Sequence, residues 1–86
     1  MSTYHLVIAP AARKELTRLP KKIAERIVAA IEALTENPRP PGSLKLEGEK
    51  NRYRIRIGDY RVVYSIEDDV LTVLIIRIRH RKDAYR

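Results

Sequence analysis

Two hydrophobic rhythms divide the chain. From Pro10 to Leu34 apolar residues recur at helical spacing: Ala12, Leu16 and Leu19 at i, i+4 and i+7, then Ile23, Ile27, Ala30, Ile31 and Leu34. Charged residues such as Arg13, Lys14, Glu25 and Glu32 fall between them, so each stretch predicts a short amphipathic helix. Pro20 divides the two, because proline lacks an N–H and fixes φ, which ends one helix and suits the start of the next. Asn37-Pro38 closes the second helix. Ahead of both, Thr3–Ile8 (TYHLVI) is rich in strand formers and stops at Ala9-Pro10, predicting a first strand.

Residues 38–51 (PRPPGSLKLEGEKN) combine Pro38, Pro40 and Pro41 with Gly42 and Gly48 and predict a surface loop. Beyond it the period becomes two. Tyr53–Tyr64 (YRIRIGDYRVVY) alternates on either side of Gly58-Asp59, a pair suited to a two-residue hairpin turn. That register sets Ile57 opposite Tyr60, Ile55 opposite Val62 and Tyr53 opposite Tyr64 on one apolar face, which packs on the helices. On the other face Arg56 stands beside Arg61, Arg54 beside Val63, and Arg52 near Ser65. Past the acidic turn Glu67-Asp68-Asp69, Val70–Ile78 (VLTVLIIRI) is apolar on both faces and predicts an inner strand. A three-residue turn there would add Arg77 and Arg79 to the basic face, and a two-residue turn would point them the other way. Residues 79–86 (RHRKDAYR) form a polar tail. The architecture expected is one α+β domain over residues 1–86: an N-terminal strand, a two-helix hairpin, and a three-stranded antiparallel meander, forming one sheet packed on the helices.

Composition narrows the chemistry. A chain of 86 residues has a small core and modest stability. With no cysteine it has neither disulfides nor a thiolate metal site, and His5 and His80 alone do not make a zinc site. The absence of a long apolar run and of a signal-peptide pattern points to the cytoplasm. The net charge of +7 is unevenly placed: residues 50–86 hold 10 Lys/Arg against 5 Asp/Glu, residues 1–49 hold 8 against 6. Such a balance favours polyanionic partners, because each phosphate neutralised releases condensed counterions.

Like charges facing each other across a hairpin destabilise it, so Arg56 beside Arg61 is a conflict that folding alone would avoid. Arg54, Arg56, Arg61 and Arg81 together suit bidentate contact with phosphate. The plainer explanation of any one of them is a long stem covering apolar surface on a solvated face. His80 could act as an acid or base, or simply be solvated. Tyr85 could stack on a nucleobase or plug the tail onto the sheet. Tyr53, Tyr60 and Tyr64 are assigned to core packing, and Glu47 and Glu49 are either a general base or solvated. No Walker loop, no paired carboxylates at helical spacing and no Ser or Cys nucleophile with a partner His is present. Phosphate chemistry by charge stabilisation remains.

Leu46-Glu47-Gly48, Tyr53-Arg54-Ile55-Arg56, Tyr60–Tyr64 (YRVVY) and His80–Arg86 (HRKDAYR) together resemble the RelE family of bacterial and archaeal type II toxins, over essentially the whole chain. The resemblance implies a toxin that enters the decoding site of a translating ribosome and cuts messenger RNA there. In the reaction it implies, the ribose 2′-hydroxyl attacks the neighbouring phosphate, leaving a 2′,3′-cyclic phosphate and a 5′-hydroxyl, with no metal or other cofactor. By resemblance Arg54 and Arg56 occupy positions that are basic in the family, often lysine. Arg61 matches a phosphate-holding arginine, Arg81 one that protonates or stabilises the leaving group, and Tyr85 a base-stacking tyrosine. Arg52, Arg77, Arg79 and Lys82 are the surrounding cations expected to bind substrate.

Arginine keeps its proton up to about pH 12 or beyond, so it cannot take one from the 2′-hydroxyl. The acceptor is then His80, Glu47 or Glu49, or ribosomal RNA and water, with His80 favoured. Arg79 stands where many relatives have glycine, so the last segment is expected to run differently. The resemblance also implies a cognate antitoxin, the ribosome and its message, and operator DNA through the antitoxin complex as partners, and no membrane. Two other classes compete: a ParE-like toxin of the same fold that poisons DNA gyrase, and a non-catalytic nucleic-acid-binding module or decayed toxin. The tail, with His80, Arg81 and Tyr85, favours RNA cutting.

Overall fold

The computed structural model describes residues 3–48 and 50–82. In chain order these form β1 (His5–Ile8), α1 (Pro10–Thr17), α2 (Lys21–Ala33), β2 (Leu44–Lys45), β3 (Arg52–Ile57), β4 (Tyr60–Glu67), a 3₁₀ turn (Asp68–Val70) and β5 (Thr72–His80). Prolines set the two helix starts as the sequence predicts, whereas α2 ends at Ala33, ahead of the Asn37-Pro38 pair expected to close it. Pro10 opens α1 behind an extended Ala9, and an extended Pro20 precedes α2. The strands make one sheet in the order β1-β5-β4-β3-β2, with β5 parallel to β1 and antiparallel to β4. The α+β architecture is as expected, with one strand more: Leu44–Lys45, inside the Pro/Gly-rich loop, pair with Tyr53 and Arg54.

The core lies between the helices and one face of the sheet. Ala12 of α1, Ile27 and Ile31 of α2, and Leu34 just beyond it cover Ile55, Val62, Tyr64, Ile66, Val73, Ile75 and Ile78, all buried. Burying residues of this size stabilises by about 1.5–3 kcal/mol each, which is what fixes helices too short to persist alone. Tyr64 is fully buried, and its hydroxyl donates to the Pro38 carbonyl at 2.8 Å, tying the α2–β2 connection to the sheet. Burial pushes its phenol up to about 12. Among the described residues no helix is long and apolar enough to cross a membrane.

The β3–β4 hairpin has the register read from the sequence, from Ile57 opposite Tyr60 to Arg52 opposite Ser65. Its turn places Gly58 at φ +59, a conformation glycine adopts without strain. The β4–β5 connection differs from both expectations. Glu67 pairs with Thr72, so four residues, 68–71, lie between the paired ends. Carried on unbroken, that register would set Arg77 opposite Val62 and turn it toward the core. A β-bulge intervenes instead: Tyr64 pairs with Ile75, Val63 pairs with Arg77, and Ile76 is the extra residue. Downstream of it, Ile78 is buried while Arg77 and Arg79 share the face of Arg54, Arg56 and Arg61. The bulge, not the turn, settles the open choice.

Candidate nucleic-acid interface

Pairing across β3, β4 and β5 sets Arg56 beside Arg61 and Arg61 beside Arg79. Partners so paired have α-carbons about 4.5–5.5 Å apart, so three guanidinium groups form one row across the sheet. In the next row Arg54 and Arg77 flank Val63, and Arg52 lies opposite Ser65 one row further on. The first row ends at a cleft of about 360 Å³ lined by Arg56, Gly58, Asp59, Tyr60, Arg61, Arg81 and Lys82. Hairpin and chain end therefore meet. The Arg81 N–H donates to the Asp59 carbonyl at 2.7 Å, fastening the segment after β5 to the β3–β4 turn.

Four cations thus face one carboxylate, Asp59, among the described residues lining the cleft. An opening of this charge attracts a polyanion, and arginine forks suit phosphate oxygens. Of the residues predicted from the sequence, Arg56, Arg61, Arg81 and Lys82 line the cleft, Arg79 and Arg54 lie on the same face, and Arg52 is farther along it. Tyr85 and Glu49 lie outside the described residues. Glu47 lines a different depression, with Lys45, Leu46, Gly48 and Lys50.

His80 and Tyr60 sit together at the end of the β4–β5 ladder. His80 pairs with Tyr60, and its ring stands edge-on to that tyrosine at 5.1 Å with an interplanar angle of 88°. Strand alternation puts it on the helix side of the sheet, opposite Arg79, and it does not line the cleft. Its Nδ1 already accepts the Lys82 N–H at 3.1 Å. Tyr60 packs half-buried against the core, as assigned, and also forms part of the cleft wall.

Glu15 was not singled out in the sequence. Its carboxylate accepts from Arg77 Nη2 at 2.8 Å and Nε at 3.2 Å, and from the Ile78 N–H at 2.7 Å, with Arg79 Nε at 3.9 Å. It ties α1 to β5 just past the bulge and pairs with the charge of Arg77. Burial alone would raise the Glu15 carboxyl, but the Arg77 and Ile78 hydrogen bonds and the charges of Arg77 and Arg79 hold it below its ordinary value. A signal was present: Glu15 lies three residues after Ala12 and four before Leu19, on the apolar stripe itself, where a carboxylate needs a partner.

Comparison with known proteins follows from this geometry. The family described as "ParE toxin of type II toxin-antitoxin system, parDE" matches residues 6–85. The chain is 39% identical over 84 residues to Toxin RelE of Mycobacterium tuberculosis, covering 96% of this chain and 87% of that protein. The fold superimposes on a chain of the toxin-antitoxin complex RelBE2 of the same organism with a TM-score of 0.83 at 31% identity, covering 94% of each chain. A chain of the archaeal RelE-RelB complex from Pyrococcus horikoshii OT3 gives the same TM-score at 33% identity, over 92% of this chain and 96% of that one.

Proposed function

The chain belongs to the RelE/ParE family of type II toxins, and on that premise we propose that it is a ribosome-dependent endoribonuclease that halts translation until a cognate antitoxin binds it. The observation that carries this reading is the convergence of Arg56, Arg61 and Arg81 on one cleft from three separate parts of the chain. Antitoxin complexes of the solved relatives support the partner. The basic face supports a polyanionic substrate, and the cytoplasm is where message and ribosome are met.

In the proposed reaction the 2′-hydroxyl of the message attacks the adjacent phosphorus, and the bond to the 5′-oxygen of the next nucleotide breaks. A 2′,3′-cyclic phosphate and a 5′-hydroxyl result, and no metal is required. Arg56 and Arg61, with Arg79 beside them and Arg54 in the next row, hold the non-bridging oxygens as charge builds in the pentacoordinate state. Donors fixed in this way are worth about 3–4 kcal/mol each in comparable sites. Arg81 stabilises the leaving 5′-oxygen, which takes a proton from water to become the 5′-hydroxyl, and Lys82 and Arg52 track the backbone on either side. Tyr85 stacks on a base. The 2′-hydroxyl proton passes to Asp59, the carboxylate in the cleft, or to the ribosome's own groups, and Asp59→Asn separates these routes.

The test is inducible expression in translating cells followed by mapping of RNA 5′ ends, with Arg61→Ala and Arg81→Ala as controls. Cuts confined to translated messages, carrying 5′-hydroxyl ends and lost in both variants, support the proposal. A second reading rests on the name of the matching family, ParE: growth arrest with intact messages and broken DNA would replace RNA cleavage by gyrase poisoning.

A further inference from the structure

The end of β5 depends on two backbone amides. The ladder with β4 finishes at the Tyr60–His80 pair, so the next N–H groups need acceptors of another kind. Arg81 finds the Asp59 carbonyl at 2.7 Å and Lys82 finds His80 Nδ1 at 3.1 Å. Together they hold a turn of chain on both sides of the Arg81 α-carbon, and Arg81 lines the cleft while His80 does not. The imidazole is itself steadied by its edge-to-face contact with Tyr60, at 5.1 Å and 88°.

We propose that His80 is the positioning residue for Arg81, acting through its Nδ1 as the acceptor that caps the end of β5, and that it handles no substrate proton. A nitrogen facing an N–H donor must carry a lone pair, so the neutral ring has its hydrogen on Nε2. No second lone pair is then left to accept a proton from a 2′-hydroxyl. The catalytic consequence rests on the nuclease proposal above, whereas the hydrogen bond itself does not. Without the cap, the Lys82 amide turns to water and the Arg81 side chain loses its fixed approach to the cleft. A displacement of about 1 Å in a charge-stabilising group can lower a rate by orders of magnitude.

Asparagine and glutamine separate this role from proton transfer, because the Asn Oδ1 stands near the place of Nδ1 while the Gln oxygen reaches further out, near Nε2. Cleavage of a translated reporter message should stay within about threefold of wild type in His80→Asn and fall about tenfold in His80→Gln and His80→Ala, the scale of one hydrogen bond. With Arg81→Ala already present, His80→Ala should add nothing further. Asn as inactive as Ala, or Ala as active as wild type, overturns the proposal. The ¹⁵N spectrum of the purified, labelled chain provides a readout independent of activity: Nδ1 unprotonated, Nε2 protonated, and a Lys82 amide shift that moves in His80→Ala and returns in His80→Asn. A protonated Nδ1, or a Lys82 amide indifferent to these substitutions, ends the proposal whether or not the chain cuts RNA. If the wild type cuts no message but the spectrum is as expected, the nuclease proposal fails while the cap stands.

Discussion

Arginine serves opposite ends of this small sheet in different ways. At one end Arg39, from the α2–β2 connection, donates to Asp68 at 2.9 Å and to the Tyr53 hydroxyl at 3.2 Å, with its guanidinium 5.3 Å from the centre of the Tyr53 ring. Tyr4 completes the group by donating to the other Asp68 oxygen at 2.6 Å. Hydrogen bonds from Arg39 and Tyr4 hold the Asp68 carboxyl below its usual range. At the other end Arg56, Arg61 and Arg79 stand in one row, and Arg81 and Lys82 close on a cleft whose one carboxylate among the described residues is Asp59. Where the charge is matched, arginine is a fastener between segments. Where cations are set side by side their repulsion opposes folding, and a bound anion would offset it.

Four experiments sharpen or break this contrast. The largest effect is expected from Arg61→Ala, in the middle of the row: cleavage of a translated message should fall about 10²–10³-fold, with the chain still folded in thermal unfolding. A large loss of stability would instead make Arg61 a structural residue like Arg39. Next comes Glu15, the acid that joins the row's flank to α1. Glu15→Gln should cost about 1–2 kcal/mol at neutral pH in denaturant titrations, because charge-assisted bonds become neutral ones. The Glu15 carboxyl titrates below its ordinary value, so its contribution is present above about pH 4.3 and is lost as pH falls through the lowered folded value. Stability of the wild type should therefore decline over that acid range more steeply than that of Glu15→Gln. A smaller effect is expected for Arg56→Ala: the slope of log affinity for RNA against log salt should fall by about 1, one phosphate contact. Least of all, Asp68→Asn should leave cleavage and its salt dependence unchanged, since the Arg39 end is exposed and remote from the cleft. A drop in cleavage there would erase the distinction between the two ends.

The β3–β4 hairpin was legible because alternation and a glycine turn both act over neighbouring residues. Helix starts were legible for the same reason, proline being a local signal, while the end of α2 at Ala33 was not. What escaped depends on partners distant in the chain. Leu44–Lys45 form a strand only because the backbone of Tyr53 and Arg54 is beside them. The Thr72–Ile75 segment carries no alternation, so nothing in it announced that Ile76 would bulge or which face Arg77 would take. His80 was weighed as a titratable group among cations, and only the pairing with Tyr60 reveals that its ring lies on the other side of the sheet. The basic cluster was legible in outline: Arg56, Arg61 and Arg81 were selected and are found around one cleft. Its acidic members, Glu15 and Asp59, were not. Glu15 acts across layers, and Asp59 was considered only as a turn residue.

The extra residue at Ile76 also bears on how such a chain can vary over generations. Strand β5 supplies core positions before the bulge and, beyond it, an outer surface with opposite phase. Removing that one residue would keep the pairs on both sides, Tyr64 with Ile75 and Val63 with Arg77, whereas running the strand unbroken with Ile76 in place would send Ile78 to solvent and Arg77 and Arg79 toward the buried layer. Point substitutions at Arg77 and Arg79, by contrast, alter the working surface without disturbing the buried half of the strand. Chains lacking the extra residue should accordingly keep the same two faces and lose only the local bend that the bulge gives the strand.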